Sequence, residues 1–187
     1  MAVFKAFFDE STIVTIIVLI WLSLYFLLAF WIYIYKNFAL GEWLASEKYY
    51  LDMLLAKSII TSKSPFLVAL LEKTQGHISR EIFQVWKLKV TQKATSGLVI
   101  LSIIASTAPF IGLFGTVVEI LETFRYLGGG NATFDVVAPV ISKALVATAA
   151  GILVAIPAYS FHLLLKRKAY HLSNCIQMQI DMMLSHK

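Results

Sequence analysis

From Ser11 to Tyr35 the chain carries no charged side chain over 25 consecutive positions. A helix needs about 20 apolar residues to cross a bilayer. In hydrocarbon each backbone N–H and C=O must find its partner within the protein, which leaves the helix as the conformation open to such a run. The run is too long for a removable leader and lacks a basic approach and a small-residue cleavage site, so it reads as a retained first transmembrane helix. Two later stretches, 96–124 and 138–165, are long and apolar enough to do the same. At roughly 42 Å each, they exceed a hydrocarbon core about 30 Å thick and are expected to protrude or tilt. The fold class that follows is an all-α membrane protein with three transmembrane helices, its second and third helices long enough to extend into the cytoplasm. A hydrophobic content of 59% and a mean hydropathy of +0.77 agree with that class.

The net charge of +5 is a topology signal before it is a nucleic-acid signal. Lys/Arg residues gather between Lys36 and Thr95 and again at Lys166-Arg167-Lys168, while the segment from Arg125 to Val137 holds a single Arg. Basic loops stay on the cytoplasmic side. The N-terminus is therefore expected in the periplasm and the C-terminus in the cytoplasm. The expected organisation is a periplasmic lead-in over 1–12, a first span over 13–35 and a cytoplasmic helical region over 36–95. A second span over 96–124, a periplasmic connector over 125–137, a third span over 138–165 and a cytoplasmic C-terminal helix over 166–187 complete it. Trp31, Tyr33 and Tyr35 suit the headgroup level.

Within 36–95, apolar residues recur at helical spacing through Leu51, Leu54, Leu55 and Ile59. Ser62-Lys-Ser-Pro65 predicts a turn and Gly76-His77 a second break. Ile78–Ala94 is expected to run into the second span without a loop. Gly128-Gly-Gly130-Asn131 forms the connector, and Pro139 fits the first turn of the third helix. Pro109 and Pro157 fall inside spans, where kinks are expected. Leu172, Ile176, Ile180 and Met183 line one face of an amphipathic tail suited to partners or lipid headgroups.

Positions three and four apart share a helix face. One such row in the second span is Ser102, Ala105, Pro109, Gly112, Thr116 and Glu119, with Gly115 beside it. In the third it is Ala144, Thr148, Gly151, Ala155, Ala158 and His162. Both rows are small or polar. Lipid tails reward no segregation of apolar side chains, so small faces serve close helix approach. A threonine there often only bonds a carbonyl of the preceding turn. Glu119, Glu122 and Lys143 are different, because ionisable groups within spans are costly and usually functional. Antiparallel helices with Thr116 and Thr148 level bring Glu119 and Lys143 into range of an intramembrane charge pair. The rival expectation is that both reach outward to the interface.

At Pro109-Phe-Ile-Gly-Leu-Phe-Gly-Thr-Val117, Val137-Ala-Pro139, Lys143-Ala-Leu-Val-Ala-Thr-Ala-Ala-Gly151 and Ala155-Ile-Pro157 the chain resembles the MotA/TolQ/ExbB family of proton-driven motors. The resemblance covers about Ala94 to Leu165. It implies a homo-oligomeric ring, pentameric in the family, in the bacterial inner membrane. The ring would surround the single spans of an ExbD/TolR-like partner and pass work to a TonB- or TolA-like protein. It also implies that Thr116 and Thr148 line the proton path, with the proton-carrying aspartate supplied by the partner. Two positions depart from the family pattern: Lys143 stands where a glutamate is usual, and Glu119 where a small residue is usual.

The chain shows no Ser/His/Asp set, paired carboxylates or metal cluster at a catalytic spacing, so neither an enzyme nor a cofactor is expected. His171 and Cys175 stand four apart, a spacing that could seat two metal ligands without a third; a packed or solvated helix face is the reading kept. The alternative function is a membrane scaffold whose small faces only hold a complex together, and it predicts that the threonines are dispensable.

Overall fold

In the computed structural model the protein is described over residues 13–57, 80–127 and 134–185, together with Val68 and Glu72. Four helices make up the described chain: α1, Ile13–Lys57; α2, Arg80–Thr95; α3, Leu98–Leu127; and α4, Phe134–Ser185. Three stretches are long and apolar enough to cross a membrane, Ile13–Met53, Leu98–Arg125 and Ala138–Leu184. At about 1.5 Å per residue, the 45 residues of α1 and the 52 of α4 each far outreach a bilayer core. The turn expected at Ser62–Pro65, the break at Gly76–His77 and the Gly128–Asn131 connector lie outside the described residues.

Contacts sort the chain into two units. The first takes the described residues up to Ile32 with Ile100–Phe161; the second takes Tyr33–Val99 with His162–Lys187. In the first unit the interior is mostly small. Ala29, Ala108, Ala144, Ala147 and Ala158 are buried there with Val18, Leu22, Leu101 and Ile104, while Trp21, Phe110, Phe114 and Leu153 stand exposed. This is the reverse of a water-soluble core, and it suits a lipid surround in which large side chains gain nothing by turning inward. Phe30 meets Phe161 edge to face, with ring centroids 5.0 Å apart.

The second unit packs larger side chains inside: Leu40, Leu51, Phe83, Val90, Leu165, Leu172, Ile176 and Ile180. Polar bonds stitch its helices. Lys168 Nζ donates to Asn37 Oδ1 at 2.6 Å, Lys87 Nζ to Gln177 Oε1 at 2.6 Å, and the buried Gln179 Nε2 to Glu47 Oε2 at 2.9 Å. The buried positions along α4 from Ala144 through Ala147, Gly151, Val154 and Ala158, and from Leu165 through Ala169, Leu172, Ile176 and Gln179, recur at steps of three and four. That is the seam spacing of helices packed side by side.

Two local expectations need correction. Ile78–Ala94 does not run unbroken into the second span: α2 ends at Thr95, Ser96 and Gly97 form a turn, and Gly97 has φ 86°. A positive φ is the usual way for glycine to end a helix. Side-chain hydroxyls add donors to the carbonyls of that last turn. Thr95 Oγ1 donates to Thr91 O at 2.9 Å, and Ser96 Oγ to Lys93 O at 2.8 Å. Lys36 Nζ adds a bond to Ser96 Oγ at 2.8 Å. Pro139 is not in the first turn of its helix either. α4 starts at Phe134, which makes Pro139 an interior residue. The helix extends upstream of the proline, whose missing N–H then leaves one carbonyl of the preceding turn without its usual donor.

Candidate functional site

The first unit is organised around the point where α3 and α4 touch. A Cβ on Gly112 would fall 2.6 Å from Ala147 O and 3.1 Å from Thr148 Cα. One on Gly151 would fall 2.6 Å from Ala108 O and 3.3 Å from Pro109 Cα. The two backbones are therefore in direct contact, a distance that only glycine permits. Gly115 is less constrained: its missing Cβ would meet Ala147 Cβ and Val18 Cγ1, both at 3.2 Å. Pro109 is half-buried inside α3, and Pro157 half-buried inside α4.

One turn along α3 from that contact, Thr116 and Thr148 are hydrogen-bonded hydroxyl to hydroxyl. Thr116 Oγ1 also reaches Ala144 O at 3.1 Å and Gly112 O at 3.3 Å, and Thr148 Oγ1 reaches Gly112 O at 3.4 Å. Each hydroxyl has one proton and two lone pairs, so the bond between them can run in either direction. In one, Thr148 donates to Thr116, which donates to Ala144 O. In the other, Thr116 donates to Thr148, which donates to Gly112 O. The pair can thus be polarised in either direction without moving a heavy atom. Neither hydroxyl is a net base near neutral pH; the pair can orient water and hydrogen-bond a carboxyl group.

Glu119, the next inward residue on α3, is buried, as is Thr15 of α1, whose Oγ1 donates to Glu119 Oε2 at 3.1 Å. Lys143, half-buried on α4, and Glu122 lie within electrostatic reach of the same carboxylate. The expected small-residue rows are partly displaced. Gly112, Thr116 and Glu119 face inward with Ala108 and Gly115, whereas Ser102 is exposed. On α4, Ala144, Gly151 and Ala158 are buried. In the second unit, His162 Nδ1 is 2.9 Å from Leu98 O. Also there, His171 is exposed while Cys175, one turn on, is buried. Among the described residues no group of three His, Cys, Asp or Glu could hold a metal ion.

Residues 57–178 match the MotA/TolQ/ExbB proton channel family. The chain belongs to that family. A biopolymer transport protein, ExbB-like 1 of Helicobacter pylori, is 51% identical over 182 residues, 97% of this chain and 96% of the relative. Shorter matches join it to the Tol-Pal system protein TolQ of Haemophilus influenzae and to the biopolymer transport protein ExbB of Pseudomonas putida. TolQ is 52% identical over 59 residues, 31% of this chain and 26% of that protein. ExbB is 51% identical over 65 residues, 34% of this chain and 20% of that protein. The segment shared with the proton channel family contains Gly112, Thr116, Glu119, Lys143, Thr148 and Gly151, but not Thr15. Thr15 and the carbonyl of Ala144 are the site members that sequence reasoning missed. The hint for Thr15 is its spacing from Val18 and Leu22 on one face, but Ser23 is equally polar and is exposed. Only the packing separates them.

Proposed function

We propose that this chain is the proton-channel subunit of an ExbB–ExbD or TolQ–TolR type motor in the bacterial inner membrane, where it turns proton motive force into work passed to TonB or TolA. Family membership supports the motor class, and the relatives' names tie it to biopolymer transport and to the Tol-Pal system. In this reading the N-terminus is periplasmic, residues 36–95 and 166–187 are cytoplasmic, and 125–137 is a periplasmic connector, in keeping with the distribution of Lys and Arg. The chain acts as a ring, a pentamer as in the family, around an ExbD/TolR-like single-span partner, and it is not an enzyme.

The observation that carries the reading is the Thr116–Thr148 hydroxyl pair set between the carbonyls of Gly112 and Ala144. A plain anchor has no use for a reversible hydrogen-bonded bridge at its tightest helix contact. The partner's membrane carboxylate takes a proton from the periplasmic side, loses its charge and passes the hydroxyl pair. It regains the charge on releasing the proton inside. Each charge crossing about 100 mV supplies about 2.3 kcal/mol, so several protons are needed per mechanical step. Glu119 and Lys143 form a charge pair beside this path. Exchanging their charges tests it: if the double swap rescues neither single swap, the pair is wrong.

The test of the function is proton flux in proteoliposomes holding the chain with a co-purified ExbD/TolR-like protein, with native mass spectrometry for assembly. Thr148→Val should remove flux and leave the ring intact. Full flux in that variant would sink the role given to Thr148, and a stable monomer without a partner would undercut the motor reading. An assembled wild-type complex that conducts no protons favours the scaffold reading, which the backbone contact at Gly112 and Gly151 would serve equally well.

A further inference from the structure

Thr15 is the polar member of an inward line on α1 that otherwise holds Val18, Leu22 and Ala29. Valine has nearly the shape of threonine, so packing alone gives no reason for a hydroxyl at this position. A buried hydroxyl without a partner is destabilising, and this one is satisfied by Glu119 Oε2 at 3.1 Å. The carboxylate would be equally costly alone. Thr15 is 1% exposed and Glu119 5%, so both ends of the bond are withdrawn from solvent within one protomer. Three helices converge on this carboxylate: Thr15 from α1, Glu122 from α3 itself, and Lys143 from α4. Thr123 Oγ1 donates to the Glu119 backbone carbonyl at 2.8 Å, which fixes the turn that carries the side chain. Glu119 also stands three residues from Thr116, about 4.5 Å along the helix axis.

We propose that Glu119 is a proton-binding site belonging to this chain itself, positioned by Thr15 and set in line with the Thr116–Thr148 pair. The proposal rests on the proton-motor reading for its purpose, though not for its chemistry. A proton from water adds to the Glu119 carboxylate and forms a neutral carboxyl group. The same O–H bond later breaks, and the proton passes to water or to a partner carboxylate, leaving Glu119 ionised as before. Thr15 is a positioning residue: its hydroxyl donates to the ionised form and accepts from the neutral one. Lys143 holds the opposite charge nearby, and Glu122 the like charge.

The experiment uses the full-length protein in lipid nanodiscs. Infrared difference spectra across a pH titration read the buried carboxyl group, and dicyclohexylcarbodiimide labelling followed by mass spectrometry reads the protonated fraction of Glu119. Wild type should show a pH-dependent carboxyl band that Glu119→Gln removes. Thr15→Val deletes a hydrogen bond to the ionised form and should raise labelling of Glu119 at a fixed pH about tenfold, while Thr15→Ser should restore the wild-type rate. A band that survives in Glu119→Gln, or identical labelling in wild type and Thr15→Val, overturns the proposal. Neither reading needs a partner or a flux. Absence of proton flux in wild-type proteoliposomes would therefore sink the motor reading and leave the carboxyl site standing. Unchanged flux in Glu119→Gln would sink the role of Glu119 and leave the motor reading standing.

Discussion

Replacing Gly112 with alanine tests how far backbone contact, as distinct from side-chain packing, holds α3 against α4. The new Cβ would lie 2.6 Å from Ala147 O and 3.1 Å from Thr148 Cα. Ordinary contact begins several tenths of an ångström farther out, and both obstacles are backbone. No rotamer change relieves the clash, so the helices must part. Overpacking of this kind costs about 1–3 kcal/mol. In a chain of this size that lowers the apparent melting temperature by about 2–4 °C per kcal/mol. Parting the helices by half an ångström also lengthens the Thr116–Ala144 bond from 3.1 Å beyond a useful hydrogen bond. Gly115→Ala is the internal control. Its Cβ meets side chains, Ala147 Cβ and Val18 Cγ1 at 3.2 Å, a milder approach that a small shift relieves. Melting of both variants in detergent should show Gly112→Ala well below Gly115→Ala. Adding Ala147→Gly should rescue Gly115→Ala and fail to rescue Gly112→Ala, whose obstacle is the carbonyl at 147. The reverse order of stability, or rescue of Gly112→Ala by Ala147→Gly, would refute the backbone-contact argument.

Thr116→Val removes the donor to Ala144 O and half of the hydroxyl pair; proton flux should fall at least as far as in Thr148→Val, with ring size by native mass spectrometry unchanged. Lys36→Met takes away the bonds to Lys93 O at 3.4 Å and Ser96 Oγ at 2.8 Å. Hydrogen exchange should rise at Gly97 and its neighbours, and unchanged protection there would show that the Thr95 and Ser96 hydroxyls suffice. Gln179→Leu deletes the bonds from Nε2 to Glu47 Oε2 and Glu47 O in the buried interior of the second unit. A hydrogen bond to a charged partner contributes about 1.5–3 kcal/mol, so thermal melting should drop measurably and Gln179→Glu should not restore it.

Three spans were readable in the sequence because the uncharged run at Ser11–Tyr35 and the two later apolar stretches admit one solution in lipid. The facing of Thr116 and Thr148 was readable as well, since antiparallel helices with small rows bring equivalent turns level. What the sequence left open was set by tertiary contact. α1 continues past Lys36 as one helix to Lys57, because charge marks where a chain meets water and says nothing of where its backbone bonds end. At the halt at Ser96–Gly97, Thr95, Ser96 and Lys36 donate to carbonyls of the last turn. None of these is a strong stop signal by itself. Pro139 misled for a similar reason: proline favours a first turn, but an interior place is tolerated where neighbours absorb the lost bond. Thr15 stayed hidden because its partner is 104 residues away.

The two units obey opposite packing rules, and the difference bears on where function can sit. With the first unit in lipid, large side chains on the outside lose nothing, so the interior can be given over to glycine, alanine and hydroxyls. Backbones then approach until carbonyls such as Ala144 O and Gly112 O become acceptors for threonines of the facing helix. In that setting a polar group with no partner is a heavy penalty. The hydroxyls of Thr116, Thr148 and Thr15, together with the Glu119 carboxylate, can persist only as a mutually satisfied set. The second unit fills its interior with Leu, Ile and Phe and ties its helices with Lys168–Asn37 and Gln179–Glu47. There, as in the first unit, losing one polar partner of a buried pair strands the other: Glu47 and Gln179 are both fully buried. Substitutions at the hydroxyl set should therefore be strongly non-additive. Thr15→Val combined with Glu119→Leu should cost less stability than the sum of the two single changes, because each alone leaves the other unsatisfied. Additive losses would mean that the two groups are not energetically coupled.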